Sequence, residues 1–165
     1  MIQKTLVVLK PDSIGRSIVW EIISRFERVG LHLVAMKMLR PDKDFLYHHY
    51  ETLGTMITRH GQQVFDITLK MMMTGPVVAM VWEGVEAVEI VRKMVGSTEP
   101  KSAAPGTIRW DFAHMSYGYA DASEIGIPNL VHASGNIEES TAEIKHRFKE
   151  NELFDHQSLH QKYTR

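Results

Sequence analysis

The sequence predicts an α+β sandwich built on a split βαβ plan within one domain spanning residues 1–165, and three observations carry that reading. Short β-rich runs alternate with helical stretches in the order strand–helix–strand–helices–strand–helix–loop–strand. The helical stretches are amphipathic, so each has one face to lay on a sheet. At 44% apolar and 24% charged, with no internal repeat, the composition is that of an ordinary globular chain long enough to close a sizeable core.

Thr5-Leu-Val-Val-Leu9 is a β-rich run stopped by Pro11-Asp12 and reads as a buried strand. Ser17 is placed to cap a helix running to about Val29, with Ile18, Ile22, Ile23 and Phe26 inward and Gly30 as its stop. From Leu31 to Leu39, Leu31, Leu33 and Ala35 alternate with His32, Val34, Met36 and Met38, which predicts a second strand partly covered on both faces. Asp42 to Leu53 reads as helical and carries Tyr47, His48, His49 and Tyr50. A polar link, Gly54 to Gly61, leads to another helical stretch from Gln62 to Met73.

Pro76 to Trp82 is the strongest strand signal and ends at Glu83-Gly84. Val85, Val88, Val91 and Val95 form one stripe of a helix closed by Gly96. Ser97 to Pro128 has no element of its own, and so long a segment inside a domain tends to be functional. A fourth strand follows at Leu130-Val131, then a helix from about Ile137 to Phe148.

The chemistry concentrates in Asn129-Leu-Val-His132-Ala-Ser134 and in Glu138, Glu139 and Glu143 at helical spacing behind it. No neighbouring histidine or cysteine completes a metal site with His132, and no serine elbow gives it a base's task. A nucleophilic histidine that accepts a transferred group is one reading. A histidine that ends a buried strand and satisfies a backbone group is the other, and the segment alone leaves the two level. Lys10, Arg92, Thr98 and Arg109 sit where elements end or in the long loop. Cations, a hydroxyl and a histidine suit a phosphate chain, the lysine as a point charge and the arginines as forks. Each taken singly reads as well as a surface charge. Neither Gly-x-x-x-x-Gly-Lys-Ser/Thr nor a Gly-x-Gly-x-x-Gly after a strand occurs, so a bound nucleotide must be held by side chains.

Net charge is -1, from 19 basic and 20 acidic residues, which gives no global field for a nucleic-acid backbone. Cysteine is absent, which removes disulfides and thiolate sites and fits a reducing compartment. The first ten residues have too short an apolar core for a secretory signal, and no stretch reaches membrane-spanning length. The expected location is cytoplasmic, with no nucleic acid or membrane partner.

The ordered set of motifs resembles the nucleoside diphosphate kinase family over nearly the whole chain. The resemblance rests on Lys10-Pro11-Asp12, Arg25-Phe26-Glu27, His49-Tyr50, Gly75 to Gly84 with Trp82, Arg92, Pro105-Gly-Thr-Ile-Arg109, Asp111-Phe112 and Asn129 to Ser134. It implies a ferredoxin-like fold with a four-stranded antiparallel sheet, and transfer of a γ-phosphoryl group from a nucleoside triphosphate such as ATP to a nucleoside diphosphate. His132 matches the histidine that is phosphorylated, and Ser134 and Glu143 match the pair that supports it. Lys10, Tyr50, Arg92, Thr98, Arg109 and Asn129 match residues around the phosphates and sugar. Mg2+ is implied as cofactor, held mainly by the nucleotide's phosphates and not by protein ligands. A homo-oligomer is implied too, a hexamer before a tetramer or dimer, with Arg16 in subunit packing and Ile22 and the Val29–Leu31 edge offering apolar contacts. The alternative is a catalytically weak nucleotide-binding or scaffold relative on the same fold.

The sequence departs from the family in four places. After His132 it reads Ala133-Ser134-Gly135 where the family has Gly-Ser-Asp, and Trp110 replaces a glycine after Arg109. Tyr50 to Gly75 is longer than usual, which leaves the residue that stacks on the base as Val64 or Phe65, with Phe65 preferred. A larger insertion lies within residues 113–128, either a flap over the site, a subunit contact or inert surface. His156 and His160 have helical metal spacing but no third ligand.

Overall fold

The computed structural model describes residues 1–156 and 161–164. Four strands, β1 (Ile2–Leu9), β2 (His32–Leu39), β3 (Val77–Val85) and β4 (Val131–Ala133), form one sheet in the order β2-β3-β1-β4. All neighbours run antiparallel. The side-chain period of two splits β1 between two cores. Val7 and Leu9 face one core with Phe26, Trp82 and Val91, from α2 (Val19–Arg28), β3 and α6 (Ala87–Val95). Leu6 and Val8 face the other with Leu46, Phe65, Leu69 and Ile144, from α3 (Lys43–Tyr47), α5 (Gln62–Met72) and α9 (Ile137–Arg147). The first core is centred on Phe26 and Trp82, whose ring centroids are 5.4 Å apart.

Several boundaries differ from the sequence pattern, each for a local reason. A short helix α1 (Pro11–Gly15) starts directly after β1, because proline suits a first helical turn. Ser17 does not cap α2: it adopts a left-handed φ of 58° at the joint between the two helices, and Ile18 takes the cap position without a side-chain bond. In β2 a bulge between Leu33 and Ala35 breaks the strict alternation. Val34 and Ala35 are therefore both buried, while Met36 and Met38 are exposed on this edge strand. The link before α5 contains its own helix, α4 (Met56–His60), and α3 continues as a π-helical turn over His48–Leu53.

β3 does not stop at Glu83-Gly84, because β1 continues to pair with it as far as Ile2 opposite Val85. Val85 is thus the last strand residue and lies outside the valine stripe of α6. The long segment after α6 folds into a 3-10 turn at Pro100–Ser102, α7 (Ile108–Phe112) and α8 (Tyr117–Ala122). Thr107 caps α7 and Ser116 caps α8, each accepting a backbone N–H three residues on. A final helical turn, α10, covers Gln161–Thr164. Among the described residues no helix is long and apolar enough to cross a membrane.

One packing expectation changes. Ile22 and Leu31 are core residues, with Ile22 fully buried, so neither is a contact for another subunit; Val29 and Trp20 are the exposed apolar groups of that region. Arg16 donates to the Phe112 carbonyl within the chain. His156 lies with its Nε2 2.8 Å from that of His32, and His160 is outside the described residues.

Candidate active site

His132 sits in β4 directly opposite Val8 of β1, and cross-strand partners share a face of the sheet. It is therefore aimed at the layer formed by α9 and the π-helical turn. There Glu143 meets it from α9: Glu143 Oε1 is 2.8 Å from His132 Nε2, and Ser134 Oγ donates to Glu143 Oε2 at 2.6 Å. Both carboxylate oxygens are thus engaged. Burial pushes the Glu143 carboxyl up, but the charge and hydrogen bond of His132 and the Ser134 hydroxyl outweigh it, and the group titrates below its ordinary value. α9 is positioned for this by Asn136, whose side chain caps it by accepting from Glu139 N–H.

Gly135, directly after Ser134, is held by Glu139. Gly135 N–H donates to Glu139 Oε2 at 3.0 Å, and a Cβ on Gly135 would lie 2.6 Å from that oxygen. Ala133 is accommodated in β4, paired with Val7, with its methyl buried.

The second half of the site is assembled around Asn129. Lys10 Nζ donates to Asn129 Oδ1 at 2.6 Å, and Asn129 Nδ2 donates to the Thr98 carbonyl at 2.8 Å. Arg109 closes the cluster by donating to the carbonyls of Asn129, Gly96 and Val131 at 3.2, 2.8 and 2.6 Å. The adjoining Leu130 has a left-handed φ of 71° and is gripped on both sides of its peptide. Asp12 accepts its N–H at 2.9 Å, while Ser13 Oγ donates to its carbonyl at 2.6 Å. The first turn of α1 thereby fixes the approach to β4, which is why Lys10-Pro-Asp and Asn129 belong to one structure.

Burial and neighbouring cations set the charges here. Desolvation, reinforced by Arg109, lowers the Lys10 ammonium to about 8, with Asp12 opposing. Desolvation and Arg92 lower Arg109 to about 10. Arg92 and Thr98 are exposed at the rim. Lys10, Arg92 and Arg109 thus concentrate positive charge at this end of the sheet, with Asp12 as the opposing carboxylate.

Tyr50 is buried, with its ring 4.7 Å from that of His49, and burial pushes its phenol up to about 12. Phe65 is not at the site. It is 3% exposed, part of the inner stripe with Leu69 and Met72, and packs edge-on against Tyr47 at 5.6 Å. The helical repeat turns its neighbour Val64 outward, 43% exposed, so the preference for Phe65 over Val64 is corrected.

Sequence order hid one participant. His49 is 2% exposed and its ring centroid lies 4.8 Å from that of His132, with Nδ1 3.8 Å from Glu143 Oε1. His132 does therefore have a second histidine beside it. The ligand atoms of His49, His132 and Glu143 all lie within 4.8 Å of one another. Desolvation, followed by the charge of Arg147 and then of His132, drives the His49 pKa well below its ordinary value, which keeps its ring neutral. The signal was available: Leu46, His49 and Tyr50 stand at i, i+3 and i+4, the spacing of a buried helical face.

A family model described as nucleoside diphosphate kinase matches residues 3–153. The nucleoside diphosphate kinase of Borreliella burgdorferi is 42% identical over 156 residues, which is 94% of this chain and 93% of that protein. A solved transition-state mimic of nucleoside-diphosphate kinase from Borrelia burgdorferi, with bound vanadate and ADP, is similar at a TM-score of 0.94 and 41% identity. It covers 99% of this chain and 98% of that one. An NDP kinase from Pyrobaculum aerophilum is similar at a TM-score of 0.84 and 36% identity, covering 94% of this chain and 100% of its own. With the family model and these relatives matching nearly its full length, the chain belongs to the nucleoside diphosphate kinase family.

Proposed function

We propose that the whole chain acts as one phosphotransferase domain, moving the γ-phosphoryl group of a nucleoside triphosphate to a nucleoside diphosphate through phosphohistidine at His132. The observation that carries this reading is the bond between His132 Nε2 and Glu143. A carboxylate accepts, so Nε2 carries the proton and Nδ1 keeps the lone pair. Nδ1 is the attacking atom. It forms the P–N bond as the γ-phosphoryl leaves the β-phosphate oxygen of the first nucleotide, and the imidazolium is held by Glu143. A β-phosphate oxygen of the second nucleotide then takes the group from Nδ1 and returns the ring to its neutral form.

The transition state of such a transfer is loose, and the protein's contribution is positioning and charge stabilisation. Lys10, Arg109 and Arg92 supply positive charge, Thr98 a hydroxyl, and Asn129 holds Lys10 in place. His49 walls the buried side of His132, with Tyr50 packed against His49. Val64, exposed at the start of α5, is the candidate for contact with the base.

Mg2+ fits this site as cargo of the nucleotide. Of the carboxylates that border the cluster, Glu143 is committed through both oxygens to His132 and Ser134, whereas Asp12 gives one oxygen to Leu130 N–H and its other, buried, has no hydrogen-bond partner among the described residues. The grouping of His49, His132 and Glu143 offers imidazole nitrogens, which suit softer metals than Mg2+. When bound to the phosphates, Mg2+ neutralises part of their charge; Lys10 and Arg109 hold the phosphates that carry it. A cytoplasmic homo-oligomer, a hexamer first, completes the reading; exposed Trp20, Met36 and Met38 support an assembly face, and mass in solution tests it.

The direct experiment is incubation with γ-labelled ATP. The protein should take up acid-labile label that added GDP removes, and His132→Ala should take up none. Turnover by His132→Ala near the wild-type rate would rule out the covalent route.

A further inference from the structure

The insertion is tied to the phosphate-binding side of the site by its first turn. Tyr117 N–H donates to Glu99 Oε1 at 2.9 Å, and Lys101 N–H donates to the Met115 carbonyl at 3.0 Å. Glu99 is itself held through its other oxygen by Ser102 Oγ. Ser116 caps α8, accepting from Tyr119 N–H at 3.2 Å. These bonds set the start of α8 against the segment that carries Thr98, and the Tyr117 side chain meets that of Thr98. Tyr117 also lies within electrostatic reach of Arg109.

We propose that Tyr117 is a nucleotide-contacting residue supplied by the insertion, its phenol hydroxyl donating to a phosphate oxygen beside Thr98 and Arg109. The inference rests on the phosphoryl-transfer reading above. Three features favour it over inert surface. Tyr117 is 45% exposed, so it is not a core residue and has surface left to offer a ligand. Its backbone is fixed from both sides of the turn, so little ordering is left for binding to do. Its side chain meets Thr98 and lies within electrostatic reach of Arg109, the groups that the proposed function gives to the phosphates, and a neutral phenol can donate to an anion where a carboxylate would repel it. Burial pushes this phenol up, with Arg109 pulling against it, so it keeps its proton at neutral pH.

Tyr117→Phe removes the hydroxyl alone and tests the contact in the full-length protein. ADP affinity by titration calorimetry and the KM for the diphosphate should each weaken about tenfold, the scale of one hydrogen bond to a charged group. Melting temperature should hold, and kcat should stay within about twofold, because a contact present before and during transfer contributes uniform binding. In wild-type protein carrying 13C at tyrosine Cζ, the Tyr117 resonance should shift on ADP addition. Unchanged ADP affinity in Tyr117→Phe, or an unmoved Tyr117 resonance, overturns the proposal. Thr98→Ala is the companion: weakened ADP binding there with none in Tyr117→Phe removes Tyr117 alone, whereas unchanged affinity in both removes the phosphate site as well.

Discussion

Glu143 accepts from His132 Nε2 at 2.8 Å while its second oxygen is occupied by Ser134, so one carboxylate fixes both the angle of the ring and the nitrogen that keeps its proton. Glu143→Gln preserves the shape and removes the charge that supports a phosphorylated imidazole. Phosphohistidine formation, followed by rapid quench with labelled ATP, should slow by about 100-fold or more, as when a histidine's carboxylate partner is neutralised elsewhere. The label should still reach His132; a wild-type rate would mean that the carboxylate only fills space.

Lys10 should make nucleotide binding pH-dependent if it meets the phosphates as proposed. Its folded pKa of about 8 lies below the ordinary 10.5, so between these values the unfolded chain binds more protons than the folded one. Stability of the ligand-free protein should therefore rise as pH increases from 8 toward 10.5, by an amount on the order of 3 kcal/mol. Below pH 8 the full cost of the buried ammonium is present. A phosphate beside Lys10 favours the charged form, so ADP binding near pH 8.5, just above the folded value, should take up protons. Calorimetry in buffers of different ionisation enthalpy measures the uptake, and zero uptake would count against a Lys10–phosphate contact.

Gly96 links the end of α6 to Arg109. Its φ is 85°, a Cβ there would lie 2.6 Å from Thr107 Oγ1, and its carbonyl accepts from Arg109. Gly96→Ala should lose about 2–4 kcal/mol, from left-handed strain together with overpacking against the α7 cap. Urea unfolding gives the loss, and a raised KM should accompany it as Arg109 moves.

Val64 and Phe65 should separate cleanly despite being adjacent. Phe65→Ala opens a cavity in the core beneath α5 and should cost about 3–5 kcal/mol. Val64→Ala, at an exposed position, should change stability by less than about 0.5 kcal/mol. If Val64 meets the base, Val64→Ala should raise the KM for diphosphates while leaving melting unchanged.

The sheet and its helices were legible because the apolar periods are strong in β1, β3 and α6, and glycines at 30 and 96 mark real helix ends. Lys10, Arg109, Asn129, His132 and Glu143 were legible as a set through motif order. What escaped was anything decided by contacts distant in sequence. The β2 bulge depends on pairing with β3, and the approach of His49 to His132 depends on packing a helical turn against β4. Phe65 was misjudged because one position along a helix is a 100° rotation, more than motif alignment through a segment of altered length can resolve. The segment from Ser97 to Pro128 looked structureless because α7 and α8 are each less than two turns, too short to show a period.

Asn129 ties the Lys10 and Arg109 cluster together. Through its side chain and carbonyl it joins the end of β1, the Thr98 segment and α7. Folding has thus already restrained the rotamers of Lys10 and Arg109, so an arriving triphosphate need not organise flexible cations around itself. Association should run as a near-rigid encounter steered by charge, with rates that fall as salt screens the field and show no lag for conformational rearrangement.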